Sequence, residues 1–224
     1  GVVYENYSNK AQELLTATVL KLDPSGERCF PVKCDVADPE QVKAAVDAVM
    51  AKWGRIDVLI NNAQASASGV AIQDHTTEQF DLAMYSGLYA TFYYMKACYP
   101  YLKETKGSII NFASGAGLFG NYGQCSYAAA KEGIRGLSRV AATEWAKDGI
   151  NTNIVCPLAW TAQLEKFEQA YPEAFKANVK MPPMGHYGNV ETEIGRVCVQ
   201  LAHPDFKYLN GETLTLEGGM GLRP

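Results

Sequence analysis

The pattern that most restricts the fold is an alternation of short apolar runs with longer amphipathic ones. Residues 56–60 contain Val58-Leu59-Ile60, and residues 108–113 contain Ile109-Ile110. Consecutive apolar positions of this kind belong to strands buried on both faces. Helical stretches lie between the strands, at 10–22, 39–53, 77–102, from 125 onward and at 190–201. The second opens on Asp38-Pro39-Glu40, an N-cap with proline at the first helical position. It then sets Val42, Ala45, Val46, Val49 and Met50 on one face and ends at Trp53-Gly54. Further strands read at 2–5, 29–33, 150–155 and 213–216. Strand and helix alternating in this way predict an α/β fold, a doubly wound parallel sheet in a single domain over 1–224. Residues 158–188 read as irregular, with helical propensity in 162–177.

Composition narrows the partners. A chain of 224 residues is long enough to bury about 70% of its unfolded surface. A net charge of −4 and a pI near 5.5 argue against nucleic acid. No apolar run approaches the length of a membrane span. The six cysteines show neither C-x-x-C nor metal spacing, and the three histidines are far apart, so reduced thiols, a cytoplasmic location and no metal are expected.

Residues 107–145 concentrate the chemistry. Ser114 follows the strand at 108–113, at the carboxyl end where open α/β sheets bind ligands. After a glycine-rich turn, a helix from about Cys125 carries Tyr127 and Lys131 four apart, on one face. A phenol of pKa near 10 is a poor acid–base catalyst at neutral pH. An ammonium one turn away favours the phenolate, and a serine hydroxyl can hold a substrate oxygen. The set suits carbonyl/alcohol interconversion with hydride from a nicotinamide.

Ser114, Tyr127 and Lys131 in this order resemble the active-site pattern of the short-chain dehydrogenase/reductase family. The resemblance runs through the chain. Asp35-Val36 is similar to the family's adenine-contacting pair, and the alternative for Asp35 is a plain turn residue. Asn61-Asn62-Ala63-Gln64 resembles Asn-Asn-Ala-Gly, which implies strand bracing and an adenosine-ribose contact by Asn62, Ala63 and Gln64, with Gln64 in place of glycine. Pro157-Leu158-Ala159-Trp160-Thr161 resembles the segment that covers the nicotinamide, with Leu158 at a glycine position, and Asn153 matches an asparagine of that strand. The resemblance implies that Tyr127 is the general acid/base, that Lys131 lowers its pKa and binds the nicotinamide ribose, and that Ser114 orients the substrate oxygen. Gly87 stands where the family has an asparagine that completes a tetrad and holds a relay water, and a water or Ser86 is the available substitute.

Glu5, at the end of the first strand, would accept ribose hydroxyls and favour NAD over NADP, unless Asn6 takes that place or Glu5 is a solvated strand end. The glycine-rich dinucleotide turn and its strand are absent from these residues. In the family that strand lies between 2–5 and 56–60, so roughly 30 or more residues are expected to be missing from the front. The segment at about 158–188 carries Trp160, Leu164, Phe167, Tyr171, Phe175, Met181, Met184 and Tyr187 over the substrate position. These imply a bulky hydrophobic substrate of the steroid type, with packing of the lid as the alternative for about half of them. Two other readings stand beside this one: a lapsed dinucleotide-binding sensor or partner subunit, and a 3-oxoacyl-thioester reductase. The helix at 77–102, apolar or aromatic nearly all round, together with the family's paired helices, implies a homotetramer.

Overall fold

The computed structural model describes residues 2–4 and 9–221. Four parallel strands carry the centre: β3 (Val58–Asn61), β4 (Ser108–Phe112), β5 (Asn151–Pro157) and β8 (Thr213–Leu216), side by side in that order. The register sets Asn61 beside Asn111, Ile110 beside Asn153 and Val155 beside Leu214. All carboxyl ends therefore lie along one edge. Ile109 and Ile110 are both fully buried, but in different clusters. Ile109 packs with Val42, Met95 and Leu102, and Ile110 with Val155, Cys198 and Leu201. Layers cover both faces of β4, as consecutive apolar residues require.

β1 (Val2–Tyr4) and β2 (Pro31–Lys33) form a separate parallel pair. Among the described residues the four-stranded sheet ends at β3, and the two sheets share no ladder. Beside β3 lies a cavity of about 700 Å³ lined by Val46, Val49, Val58, Ile60, Tyr94 and Cys98, among others.

α1 (Asn9–Leu22) joins β1 to β2 and buries Leu15 and Val19. α2 (Pro39–Trp53) begins and ends as its sequence dictates. Asp38 Oδ1 accepts from Glu40 N at 2.9 Å, and Gly54, at φ 69°, donates to Met50 O at 2.8 Å.

The helix expected at 77–102 is more complex. A capping box at Thr76 and Gln79 starts α3 (Thr77–Ala83), and a π-turn at Met84–Tyr89 joins it to α4 (Ala90–Thr105). Within the π-turn, Ser86 Oγ donates to Leu82 O at 2.6 Å and accepts from Ala65 N at 3.0 Å. That hydroxyl competes with the helix ladder while tying the chain after β3 to the bulge.

Two further expectations are corrected. The glycine-rich turn contains a short helix, α5 (Gly115–Phe119), started by Ser114 and stopped by Gly120 at φ 64°. The helical stretch 162–177 is two helices, α7 (Ala162–Ala170) and α8 (Pro172–Asn178), because Pro172 starts a new one and cannot continue the old. α6 (Cys125–Glu144) runs uninterrupted between α5 and α7 in sequence, and a π-turn at Val190–Gly195 precedes α9 (Arg196–Leu201). The lid leaves and rejoins the body through a two-residue ladder of β6 (Ala159–Trp160) and β7 (Gly188–Asn189).

Candidate active site

Ser114, Tyr127 and Lys131 converge at the carboxyl end of β4. Ser114 leaves the strand in an extended conformation and caps α5, its Oγ accepting from Ala116 N at 3.1 Å. The Ser114 side chain lies close enough to the Tyr127 hydroxyl to favour its ionised form. Lys131, buried to 4% exposure, donates to Phe112 O at 2.7 Å. Its Nζ lies 5.5 Å from the centre of the Tyr127 ring. The lysine is therefore moored to the strand's last carbonyl and placed against the phenol by one turn of α6.

The electrostatics of the pair are set mainly by burial. Burial pushes Tyr127 above its ordinary value, and the Ser114 side chain offsets this only in part. Burial also pulls the Lys131 ammonium down, to about 8. In this arrangement the cost of burying a phenolate exceeds the help from Ser114. Tyr127 is held protonated at neutral pH.

Two groups around the cluster were not singled out from sequence. Ser126, fully buried beside Tyr127, pairs with His75 Nε2 at 2.9 Å. Arg135, one turn beyond Lys131, is buried to 2% exposure. Its Nε and Nη2 donate to Glu132 at 3.0 and 2.6 Å, and Nη2 lies 3.5 Å from Ser114 O. The four-residue spacing from Tyr127 through Lys131 to Arg135 was the available signal.

The residues expected to hold a dinucleotide lie along the same edge. Asp35 follows β2, is half-buried, and accepts from Ala37 N at 3.0 Å, so it closes a turn as well as facing the edge. Val36 is buried and lines the cavity. The asparagine pair divides its labour: Asn61 donates to Asn111 Oδ1 at 2.8 Å and braces β3 on β4, while Asn62 and Ala63 stand exposed at the cavity. Pro157 ends β5, and Leu158 donates to Leu216 O at 2.9 Å and accepts from Gly188 N at 3.0 Å. Its backbone, not its side chain, positions the lid. Thr161 caps α7 by accepting from Leu164 N at 3.2 Å. Asn153 is structural, bonded to Leu209 O and Glu212 N at 2.7 and 3.1 Å. Glu5 lies outside the described residues.

Over this edge the lid aromatics divide as well. Trp160 meets Phe175 and Tyr187 edge-on at 6.0 and 6.1 Å, and Phe167 contacts Tyr171 and Phe175. Tyr171, Met181 and Met184 remain exposed. No helix among the described residues is long and apolar enough to cross a membrane.

The chain is similar to known proteins along most of its length. The family described as enoyl-(acyl carrier protein) reductase matches over residues 2–221. A 12α-hydroxysteroid dehydrogenase of a Clostridium species is 68% identical over 203 residues, which cover 89% of this chain and 78% of that protein. A 3-oxoacyl-[acyl-carrier-protein] reductase of Thermotoga maritima is 31% identical over 212 residues, covering 94% and 84%. The solved structure of ElxO with NADP bound superposes with a TM-score of 0.85 at 26% identity, covering 97% of this chain and 87% of that one.

Proposed function

The chain belongs to the short-chain dehydrogenase/reductase family of nicotinamide-dependent oxidoreductases, and we propose that it interconverts a 12α-hydroxyl and a ketone on a steroid. The observation that carries the reaction type is the cluster itself: a phenol beside a serine hydroxyl, with a buried ammonium behind it. The steroid substrate is supported by the 68% identity to a 12α-hydroxysteroid dehydrogenase and by the lid's exposed Tyr171, Met181 and Met184, which suit a broad apolar ligand.

The polar groups along the carboxyl edge fit a nicotinamide dinucleotide. Asn62 stands exposed there, Lys131 has ammonium hydrogens beyond its one bond to Phe112 O, and Thr161 keeps its hydroxyl hydrogen while capping α7. In this assignment Asp35 and Val36 take the adenine, and Asn62, Ala63 and Gln64 line its ribose. Lys131 takes the nicotinamide ribose, and Pro157, Leu158 and Thr161 cover the nicotinamide. The cofactor supplies or takes the hydride when bound. We assign NAD on the acid at Glu5, although the ElxO structure holds NADP.

Ser114 orients the substrate oxygen. Tyr127, neutral because it is buried, gives that oxygen its proton during reduction and takes it back during oxidation. Lys131, held by Phe112 O, keeps a positive charge beside the phenol. The six free thiols suit a reducing, cytoplasmic setting. A homotetramer is supported by Leu82, Tyr85, Tyr89 and Phe92, which form an exposed apolar face on α3, the π-turn and α4.

Rates with a 12α-hydroxysteroid, its ketone and a 3-oxoacyl thioester, each with NAD or NADP forms, test the reading. Turnover of the steroid pair is expected. Tyr127→Phe should lower it by about 10²–10⁴-fold with the fold intact. Activity on the thioester alone, or full activity of the variant, would refute it.

A further inference from the structure

Ser114 depends on a helix too short to hold itself. Its Oγ accepts from Ala116 N at 3.1 Å, so the hydroxyl lies where the backbone of α5 puts it. α5 has five residues, and so short a helix is not stable in water on its own. Its place is set by what packs against it. Two of its residues are glycines, and a carboxylate stands against each. A Cβ on Gly117 would lie 2.5 Å from Glu132 Oε1, and one on Gly115 would lie 2.5 Å from Glu217 Oε1. Glu132 is partly exposed and engaged by Arg135 on its own helix. Glu217, which follows β8, is instead buried to 6% exposure.

The Glu217 carboxylate has no room to swing away from α5. Its other oxygen lies against Gly221, where any Cβ would collide with it. The Phe119 ring closes over both glycines, 3.4 Å from a Cβ on Gly115 and 3.2 Å from one on Gly221. The acid is therefore wedged between the first residue of α5 and the chain beyond β8. The turn that carries it is itself fixed. Met220 N donates to Glu217 O at 3.0 Å, and Leu158 N donates to Leu216 O at 2.9 Å. From the lid, Met184 N donates to Gly218 O at 3.0 Å, while Pro182 and Pro183 crowd Gly218 and Gly219. The segment that closes over the substrate and the residue after Ser114 thus rest on one turn. Close-packed groups of this kind transmit a displacement rather than absorb it.

We infer that Glu217 is a positioning residue: its buried carboxylate fixes the start of α5, and with it the hydroxyl that orients the substrate oxygen. It acts through Ser114 and not on the substrate. The inference rests on the role proposed above for Ser114.

Glu217→Ala removes the wedge. With the steroid pair, kcat should fall roughly tenfold to a hundredfold, the scale of a misplacement of up to about 1 Å, while KM stays within about twofold. In a Ser114→Ala background the same change should lower kcat no further, because a support has no effect on a hydroxyl that is gone. Gly115→Ala puts a methyl group where Oε1 stands and should by itself lower kcat. Adding Glu217→Asp, one methylene shorter, should recover much of that loss, and this pair decides the matter if Glu217→Ala does not fold. Wild-type kcat in Glu217→Ala would overturn the inference, as would a fall of equal size in the Ser114→Ala background. Wild-type kcat in Gly115→Ala, or no recovery with Glu217→Asp, would overturn it as well. Ser114→Ala alone separates the two levels. Undiminished activity there removes the serine's role itself, whereas activity lost there but kept in Glu217→Ala removes only the role of Glu217.

Discussion

Tyr127 is pulled in two directions, and burial wins. Its pKa is raised by desolvation and lowered in part by Ser114, while Lys131 is brought to about 8. Reduction needs the neutral phenol and oxidation needs the phenolate, so pH should separate the two directions. Rising pH populates the phenolate only as it approaches the raised pKa. Initial rates from pH 6 to 10 should show alcohol oxidation climbing through and beyond pH 8 while ketone reduction declines. An oxidation optimum at or below neutrality would contradict the assignment. The catalytic trio was legible because spacing on one helix turn and one strand end fixes three side chains. The balance of pKa effects was not, because it depends on how much solvent the fold removes from each group. Gln64 and Gly87 read as separate departures, since nothing in the chain order reveals that a Cβ on Gly87 would lie 2.6 Å from Gln64 Cδ.

At the scale of elements, strand ends and caps were readable and interruptions were not. Asp38-Pro39 and Trp53-Gly54 bound α2 because capping is local chemistry. The π-turn at Met84–Tyr89 escaped because it depends on Ser86 meeting Ala65, on a separate segment. Lys207 is a similar case. Its ammonium donates to Lys106 O, to Gly107 O at 2.8 Å, to Ser108 Oγ at 3.0 Å and to Asn151 Oδ1 at 3.1 Å. One side chain thus ties together the amino ends of β4 and β5 from a loop near the carboxyl terminus, and no local pattern announces it. Lys207→Met would leave these partly buried acceptors unpaired, at a cost of about 2 kcal/mol. For a domain of this length that is a fall in Tm of roughly 4–8 °C. Calorimetry should find it with steady-state KM unchanged, and an unaltered Tm would show that water replaces the ammonium without loss.

For the whole molecule, the long helix leaves an aromatic flank uncovered. Met95, Cys98 and Leu102 are buried in the core, whereas Tyr85, Tyr89 and Phe92 are each more than 40% exposed. Tyr85 and Tyr89 stack on each other at 4.9 Å. A flank of this kind on a chain of net charge −4 suits an isologous contact with a second copy. Light scattering at micromolar concentration should give a tetramer for the wild type and smaller species for Tyr85→Arg with Phe92→Arg. A wild-type monomer would refute the interface.

The neck of the lid has a separate consequence. The chain departs at Trp160 and returns at Asn189, residues paired with each other in one short ladder. What hangs between those points can therefore grow, shrink or be exchanged while the strands of the main sheet keep their register. Doubling the length of such an insert costs only about 0.6 kcal/mol in closure entropy. The segment 161–187 is in this sense a cassette. Selection on substrate shape can act there with little penalty to folding, and a transplanted lid should carry its preference for substrate into a new host.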